Sequence, residues 1–210
     1  MQDELLVERV DPSELNVIAR VLAEAYSEDP LFLWAMPKAA TRLADAIVFF
    51  TFYLRRMLSH HREVFATSDR SAVAVMTSVG SLHRESPRYL STLIRTMSPA
   101  TDYFRWIETF QPDVDHRYLE FIGVLPAHRS KGRGYLLLGS LLAMSAHESL
   151  PVWCWSSNPR NLTFYLRLGF EIGAELCRDA DTPPVTSLWR PQILVTTTPP
   201  AIDKLPIPGT

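Results

Sequence analysis

The hydrophobic and polar positions of the chain alternate between two periods. Leu5 to Val10 has the period of a strand. From Asp11-Pro12-Ser13-Glu14, a helix start with proline in the first turn, apolar residues recur at Leu15, Ile18, Val21, Leu22 and Ala25. That spacing predicts a helix to about Tyr26, ended by Ser27-Glu28-Asp29-Pro30 because the residue before proline avoids the α region. Leu31 to Met36 reads as an aromatic-rich loop and Thr41 to His60 as a second helix. Val64 to Ser68 and Ala72 to Ser78 read as two strands of a hairpin across Asp69-Arg70-Ser71. From Ser81 to Asp115 the pattern is helical, with helices expected over Pro87 to Met97 and Thr101 to Phe110.

The second half repeats the alternation. A strand over Tyr118 to Leu125 is stopped by Pro126, which cannot donate to a ladder. A basic loop, Ala127 to Arg133, precedes a long apolar helix, Tyr135 to Glu148. Pro151 to Ser156 is a strand and Asn161 to Leu168 a short helix closed by Gly169. Phe170 to Cys177 and Val185 to Trp189 complete the strands. Strands and helices in this order give an α/β domain around a mixed sheet. Seven of the 16 prolines lie from Pro183 onward, so residues 1–195 are read as one domain and 196–210 as a Thr/Pro-rich tail outside the core.

Composition narrows the class. The 210 residues suffice for one sizeable core, and 47% hydrophobic with 21% charged residues is globular. A net charge of −2 argues against a general nucleic-acid binder. The N-terminus lacks an apolar signal core, and the longest apolar tract, Leu43 to Leu54, is too short to span a bilayer; a cytoplasmic protein with no membrane role is expected. Cys154 and Cys177 lack metal-type spacing and are read as buried thiols. None of the six histidines forms a metal pair, so no metal is expected; His128 is read as loop surface.

The chemistry concentrates between Tyr118 and Phe170. Strand, glycine-containing basic loop and helix in that order describe an anion site: the glycines leave backbone N–H groups unshielded and the helix start adds partial positive charge. The loop reads Arg129-Ser130-Lys131-Gly132-Arg133-Gly134. It is not a Walker A motif, and Leu137 stands where a dinucleotide fingerprint needs a small residue. It resembles the Arg/Gln-x-x-Gly-x-Gly/Ala pyrophosphate loop of the GNAT superfamily, the acyl-CoA-dependent N-acetyltransferases. Downstream, Asn158 ends a strand and a helix carries Tyr165 shortly before Gly169-Phe170, which is similar to that superfamily's other signature. Arg117-Tyr-Leu, Gly123-Val-Leu-Pro126 and Asn158-Pro-Arg-Asn-Leu-Thr-Phe-Tyr165 look most like the puromycin-acetyltransferase-like branch.

The resemblance implies a mostly antiparallel sheet flanked by helices, with a strand splayed at the acetyl-CoA site. It implies acetyl transfer from acetyl-CoA, as co-substrate, to an amine by direct attack, which suits the lack of a nucleophile elbow. The N–H groups of Arg129, Ser130, Lys131, Gly132, Arg133, Gly134 and Tyr135 would hold the pyrophosphate, and backbone N–H groups around Ile122, Gly123 and Val124 would polarise the thioester. Gly123 suits a bulge or a close approach, with simple packing against a helix as the plainer account. Asn158 would bond the pantetheine arm; Asn-Pro also favours a turn by itself.

Tyr165 is the candidate general acid for the departing thiolate, against a plain core tyrosine beside Phe164. Glu120 is the candidate general base: it interrupts an apolar strand on the face expected for Tyr118 and Ile122. A glutamate at a solvent-facing strand edge would look the same, and water, Glu28 or Asp29 are alternatives. Phe32, Trp34, Tyr103, Phe104 and Trp106 offer aromatic surface for an acceptor, with core packing, the commoner place for aromatic helices, as the plainer account. A small-molecule amine, possibly antibiotic-like, is the favoured acceptor; a protein lysine, or a catalytically weak acyl-CoA-binding regulatory module, are the alternatives. The enzyme would be a monomer or homodimer.

Overall fold

The computed structural model describes residues 5–58, 63–80, 103–104 and 106–192. The expected helix over Pro87 to Met97 and the Thr/Pro-rich tail lie outside those residues. Strands are β1 (Val7–Arg9), β2 (Glu63–Thr67), β3 (Ala72–Val79), β4 (His116–Val124), β5 (Val152–Ser156), β6 (Glu171–Leu176) and β7 (Val185–Arg190). Helices are α1 (Leu15–Ala25), α2 (Pro30–Ala35), α3 (Arg42–Leu58), α4 (Arg133–His147) and α5 (Leu162–Arg167). The backbone is also helical at Tyr103, Phe104 and Trp106 to Glu108. The strands form one seven-stranded sheet in the order β1-β2-β3-β4-β5-β7-β6, antiparallel except for β4 with β5. Among the described residues no helix is long and apolar enough to cross a membrane.

The sheet carries a core on each face, as period-2 strands between helices require. One face is aromatic and packs α1, α2 and α3 through Ile18, Leu22, Phe32, Phe49, Phe50 and Tyr53 against Val73, Val75, Tyr118 and Phe121. The other packs leucines of α4, Leu137, Leu138, Leu141 and Leu142, against Ala74, Met76 and Leu119. The expected loop over Leu31 to Met36 is helix α2. Asp29 caps it, its carboxylate accepting the Leu31 N–H at 3.0 Å, with Pro30 at the first position. Asp-Pro is a helix start as well as a helix stop, and here the start wins.

Three further expectations are corrected. Phe32, Tyr103 and Phe104 are buried, not surface. Cys154 is buried, but Cys177 lies exposed beyond β6. Tyr118 and Ile122 do not share a face: Phe121 pairs with Val75 and Leu119 with Met76, so Glu120 is an extra residue in β4. This β-bulge reverses the alternation, sending Tyr118 and Phe121 to the aromatic core and Leu119 and Ile122 to the aliphatic one.

Candidate active site

The parallel pairing of β4 with β5 is short. It covers Arg117 with Val152 and Tyr118 with Trp153, whereas β4 stays paired with β3 as far as Val124 and β5 with β7 as far as Ser156. Beyond Tyr118 the two central strands therefore part. The Leu125 N–H donates to Ser71 O at 2.9 Å. Antiparallel alternation then turns the N–H groups of Ile122 and Val124 away from β3, towards the parting, and that of Gly123 towards β3. A cavity of about 770 Å³ opens there. Its lining includes every residue expected for acetyl-CoA binding or catalysis except Lys131, which is exposed on the loop; of the five aromatic residues expected at the acceptor, only Phe32 lines it.

Gly123 sits in the cavity wall because of close packing. A Cβ on it would come within 2.7 Å of the Ala25 Cβ, so glycine lets α1 lie against β4, while the bulge is at Glu120. The Ile122 N–H is engaged. Tyr26 Oη accepts it at 3.2 Å and donates to the Ile122 carbonyl at 3.2 Å, standing in for the strand partner that β5 no longer supplies. Tyr26 is half-buried, in ring contacts with Phe32, Phe50 and Phe121.

The glycine loop closes one end of the cavity. Ser130 (φ 60°) and Gly132 (φ 79°) are left-handed, folding the chain back so that α4 starts against the sheet. No side chain caps α4, and its first intrahelical bond is Leu136 N–H to Gly132 O at 2.9 Å. The donors of its first turn are those an anion would take. The loop cations are partly spoken for. Arg129 donates to Ala25 O at 2.9 Å and faces Glu28 at 3.6 Å. Arg133 pairs with Asp69 at 3.0 Å. Burial opposes the ionisation of Asp69, but hydrogen bonds from Ser71, Thr67 and Arg133 outweigh it and hold the carboxyl below its usual range. His128, read as loop surface, is half-buried in the cavity wall.

The wall also holds Asn158, Arg160, Phe164, Tyr165 and Arg167, with the Phe164 ring 5.0 Å from Tyr135 beside the glycine loop. The Asn158 Oδ1 accepts the Arg160 N–H at 3.1 Å and caps the turn Pro159–Asn161, so the carboxamide NH₂ is the group it can offer a ligand. Tyr165 is fixed by the end of α5. Gly169 (φ 81°) is left-handed; its N–H donates to Leu166 O at 3.0 Å and the Phe170 N–H to Tyr165 O at 3.2 Å. This Schellman closure brings Phe170 edge-on to the Tyr165 ring at 5.4 Å. Burial, and then the nearby Cys154, Tyr26 and Asp29, push the Tyr165 phenol well above its ordinary pKa, so it holds its proton.

Glu120 is 8% exposed, in a central strand and not at a solvent-facing edge; it accepts a hydrogen bond from Thr77. Burial raises its carboxyl well above the usual carboxylate range. Asp29 accepts the Ser157 hydroxyl at 2.7 Å and is raised by burial against that bond. Tyr26, Ser157, Arg160 and Arg167 were not singled out from the sequence. None of these four carried a local signal in the sequence. Among the described residues no cluster of His, Cys, Asp and Glu could hold a metal.

Comparison with known proteins agrees with this geometry. The model of the acetyltransferase (GNAT) family matches residues 100–170. A structure described as histone acetyltransferase HPA2 and related acetyltransferase from Corynebacterium glutamicum is 22% identical, over 91% of this chain and 98% of that one, with a TM-score of 0.67. Arylalkylamine N-acetyltransferase 2 from Aedes aegypti is 10% identical over 90% and 99%, with a TM-score of 0.65. The NatC complex bound to Gag peptide and CoA is 12% identical over 90% and 99%, with a TM-score of 0.54.

Proposed function

We propose that this chain, which carries the GNAT acetyltransferase fold, transfers an acetyl group from acetyl-CoA to a primary amine of a small molecule by direct attack. The observation that carries the reading is the parting of β4 from β5 after Tyr118, with the uncapped glycine loop at one end of the cavity and Tyr165 buried in its wall. The first-turn N–H groups of α4 would hold the pyrophosphate, and Arg160 and Arg167 line the same cavity. The Val124 N–H, and that of Ile122 once Tyr26 yields it, would polarise the thioester carbonyl. The NH₂ of Asn158 would bond the pantetheine arm. The puromycin-acetyltransferase-like branch remains our reading of the motifs around Arg117, Gly123 and Asn158.

Tyr165 would give its proton to the sulfur as the C–S bond breaks. A phenol raised by burial hands a proton to a thiolate of lower pKa only when aligned with it, an alignment that the Schellman closure holding Tyr165 would favour. Glu120, at the bulge between the acetyl site and the aromatic core, would accept the amine proton. Tyr165→Phe keeps the ring contacts with Phe164 and Phe170 and removes only the hydroxyl. Steady-state kinetics should show turnover lowered by roughly 10²-fold, with acetyl-CoA affinity by calorimetry little changed. Wild-type turnover in this variant would remove Tyr165 from the mechanism.

A further inference from the structure

Behind Glu120, on the aromatic face, lies a second and much smaller cavity of about 20 Å³. Its wall consists of six aromatic rings, Phe49, Tyr53, Phe104, Tyr118, Phe121 and Trp155, and two carboxylates, Glu108 and Glu120. Glu120, Phe121 and Trp155 also line the large cavity, so the two cavities share a wall. The rings are held in place. Trp155 Nε1 donates to Tyr118 Oη at 2.8 Å and its ring lies 5.9 Å from Phe104. Phe121 takes edge contacts from Phe50 at 5.1 Å and Tyr53 at 5.0 Å.

Size and chemistry restrict what fits. About 20 Å³ admits one group the size of a water, since such a group needs roughly 10–15 Å³. An aromatic ring is too large and an anion would meet two carboxylates. A hydrocarbon end would suit the rings and leave both carboxylates against it. An ammonium satisfies both, because ring faces and carboxylates attract a cation.

We propose that this box binds the second, non-reacting ammonium of the acceptor, which makes the acceptor an aliphatic diamine with one amine at the acetyl site and the other among the six rings. The inference rests on the acetyl-transfer reading of the large cavity and adds the substrate class. It gives Glu120 a place between the two amines. Burial raises this carboxyl, and a cation beside it would favour its ionised form.

The test compares putrescine and cadaverine with butylamine, pentylamine and aminobutanol at saturating acetyl-CoA. The diamines should be preferred in kcat/KM by roughly 10- to 10²-fold, with aminobutanol behaving like the monoamines. The isosteric Glu108→Gln should bring the diamine-to-monoamine ratio to within about threefold. Equal kcat/KM for putrescine, butylamine and aminobutanol in the wild-type enzyme overturns the proposal even if the variant does not fold; so does an unaltered ratio in folded Glu108→Gln. Acetylation of monoamines alone would leave the transferase reading standing and remove the box. If no amine is turned over, the transferase reading fails and calorimetry with putrescine decides. Binding that is weakened in Glu108→Gln supports the box, and no binding to the wild type overturns it.

Discussion

The two sides of the β4 bulge are built by different means. On the side of the glycine loop the site is mostly backbone: the first turn of α4, the N–H groups of Ile122 and Val124, and the turn after Asn158. On the other side it is almost wholly side chain, gathered from α3, the helical stretch at Phe104 and Glu108, β4 and β5. Backbone sites tolerate exchange of most side chains but not of the glycines that shape them. Side-chain sites behave the other way round: the identity of each ring and carboxylate matters.

The largest effect that would break this contrast is expected in the loop. Gly132 is left-handed at φ 79°, with open space where a Cβ would go. Gly132→Asp would therefore fold with local strain, and would set a carboxylate at the mouth of the anion site. Acetyl-CoA binding by calorimetry should fall by more than about 10²-fold, since two charges of one sign oppose each other in a partly buried site. Unchanged affinity would show that the first turn of α4 does not hold the ligand.

Glu120 comes next. Its pKa is raised in the folded protein, so its contribution to stability is full below the unfolded value of about 4.3 and is lost as pH rises through the folded value. Glu120→Gln removes that loss. Thermal melts should show the variant gaining on the wild type as pH rises from about 4.3 through the raised folded value, with little difference below about pH 4. Turnover should fall most where Glu120 is ionised and the amine is still protonated, and the effect should fade at low pH, where the raised carboxyl already holds its proton. A variant less stable at every pH would mean that the Thr77 bond outweighs the burial of the charge.

The same contrast explains what could be read in the sequence. Arg129 to Tyr135 and Asn158 to Phe170 are short continuous stretches in which glycine, asparagine and tyrosine stand at spacings set by one turn each. Local physics fixes them, and the residues read there do line the cavity, Lys131 apart. The aromatic box joins residues from Phe49 to Trp155, and nothing along the chain relates them. The bulge was illegible for a similar reason: an extra residue in β4 is defined only against its partner β3, and without it Glu120 seemed to share a face with Ile122. Arg129 and Arg133 were readable as cations, but their pairing with Ala25 O, Glu28 and Asp69 depends on chain more than sixty residues away.

The smallest expected effect lies at Tyr26, where the two sides meet. Its hydroxyl uses the Ile122 N–H and carbonyl together, both at 3.2 Å, within the parting of the strands. Any ligand that pairs with Ile122 must displace it, and so loses part of what it gains. Tyr26→Phe leaves the ring among Phe32, Phe50 and Phe121 and removes that competitor. The free protein should lose about 1 kcal/mol, the net worth of a hydrogen bond. For a chain of this length that lowers the melting temperature by about 2–4 °C. Acetyl-CoA should bind up to about fivefold more tightly, because roughly 1 kcal/mol of displacement no longer opposes it. The two changes have opposite signs, which separates displacement from propping. If Tyr26 instead holds the strands apart, Tyr26→Phe would let the cavity close and both stability and affinity would fall.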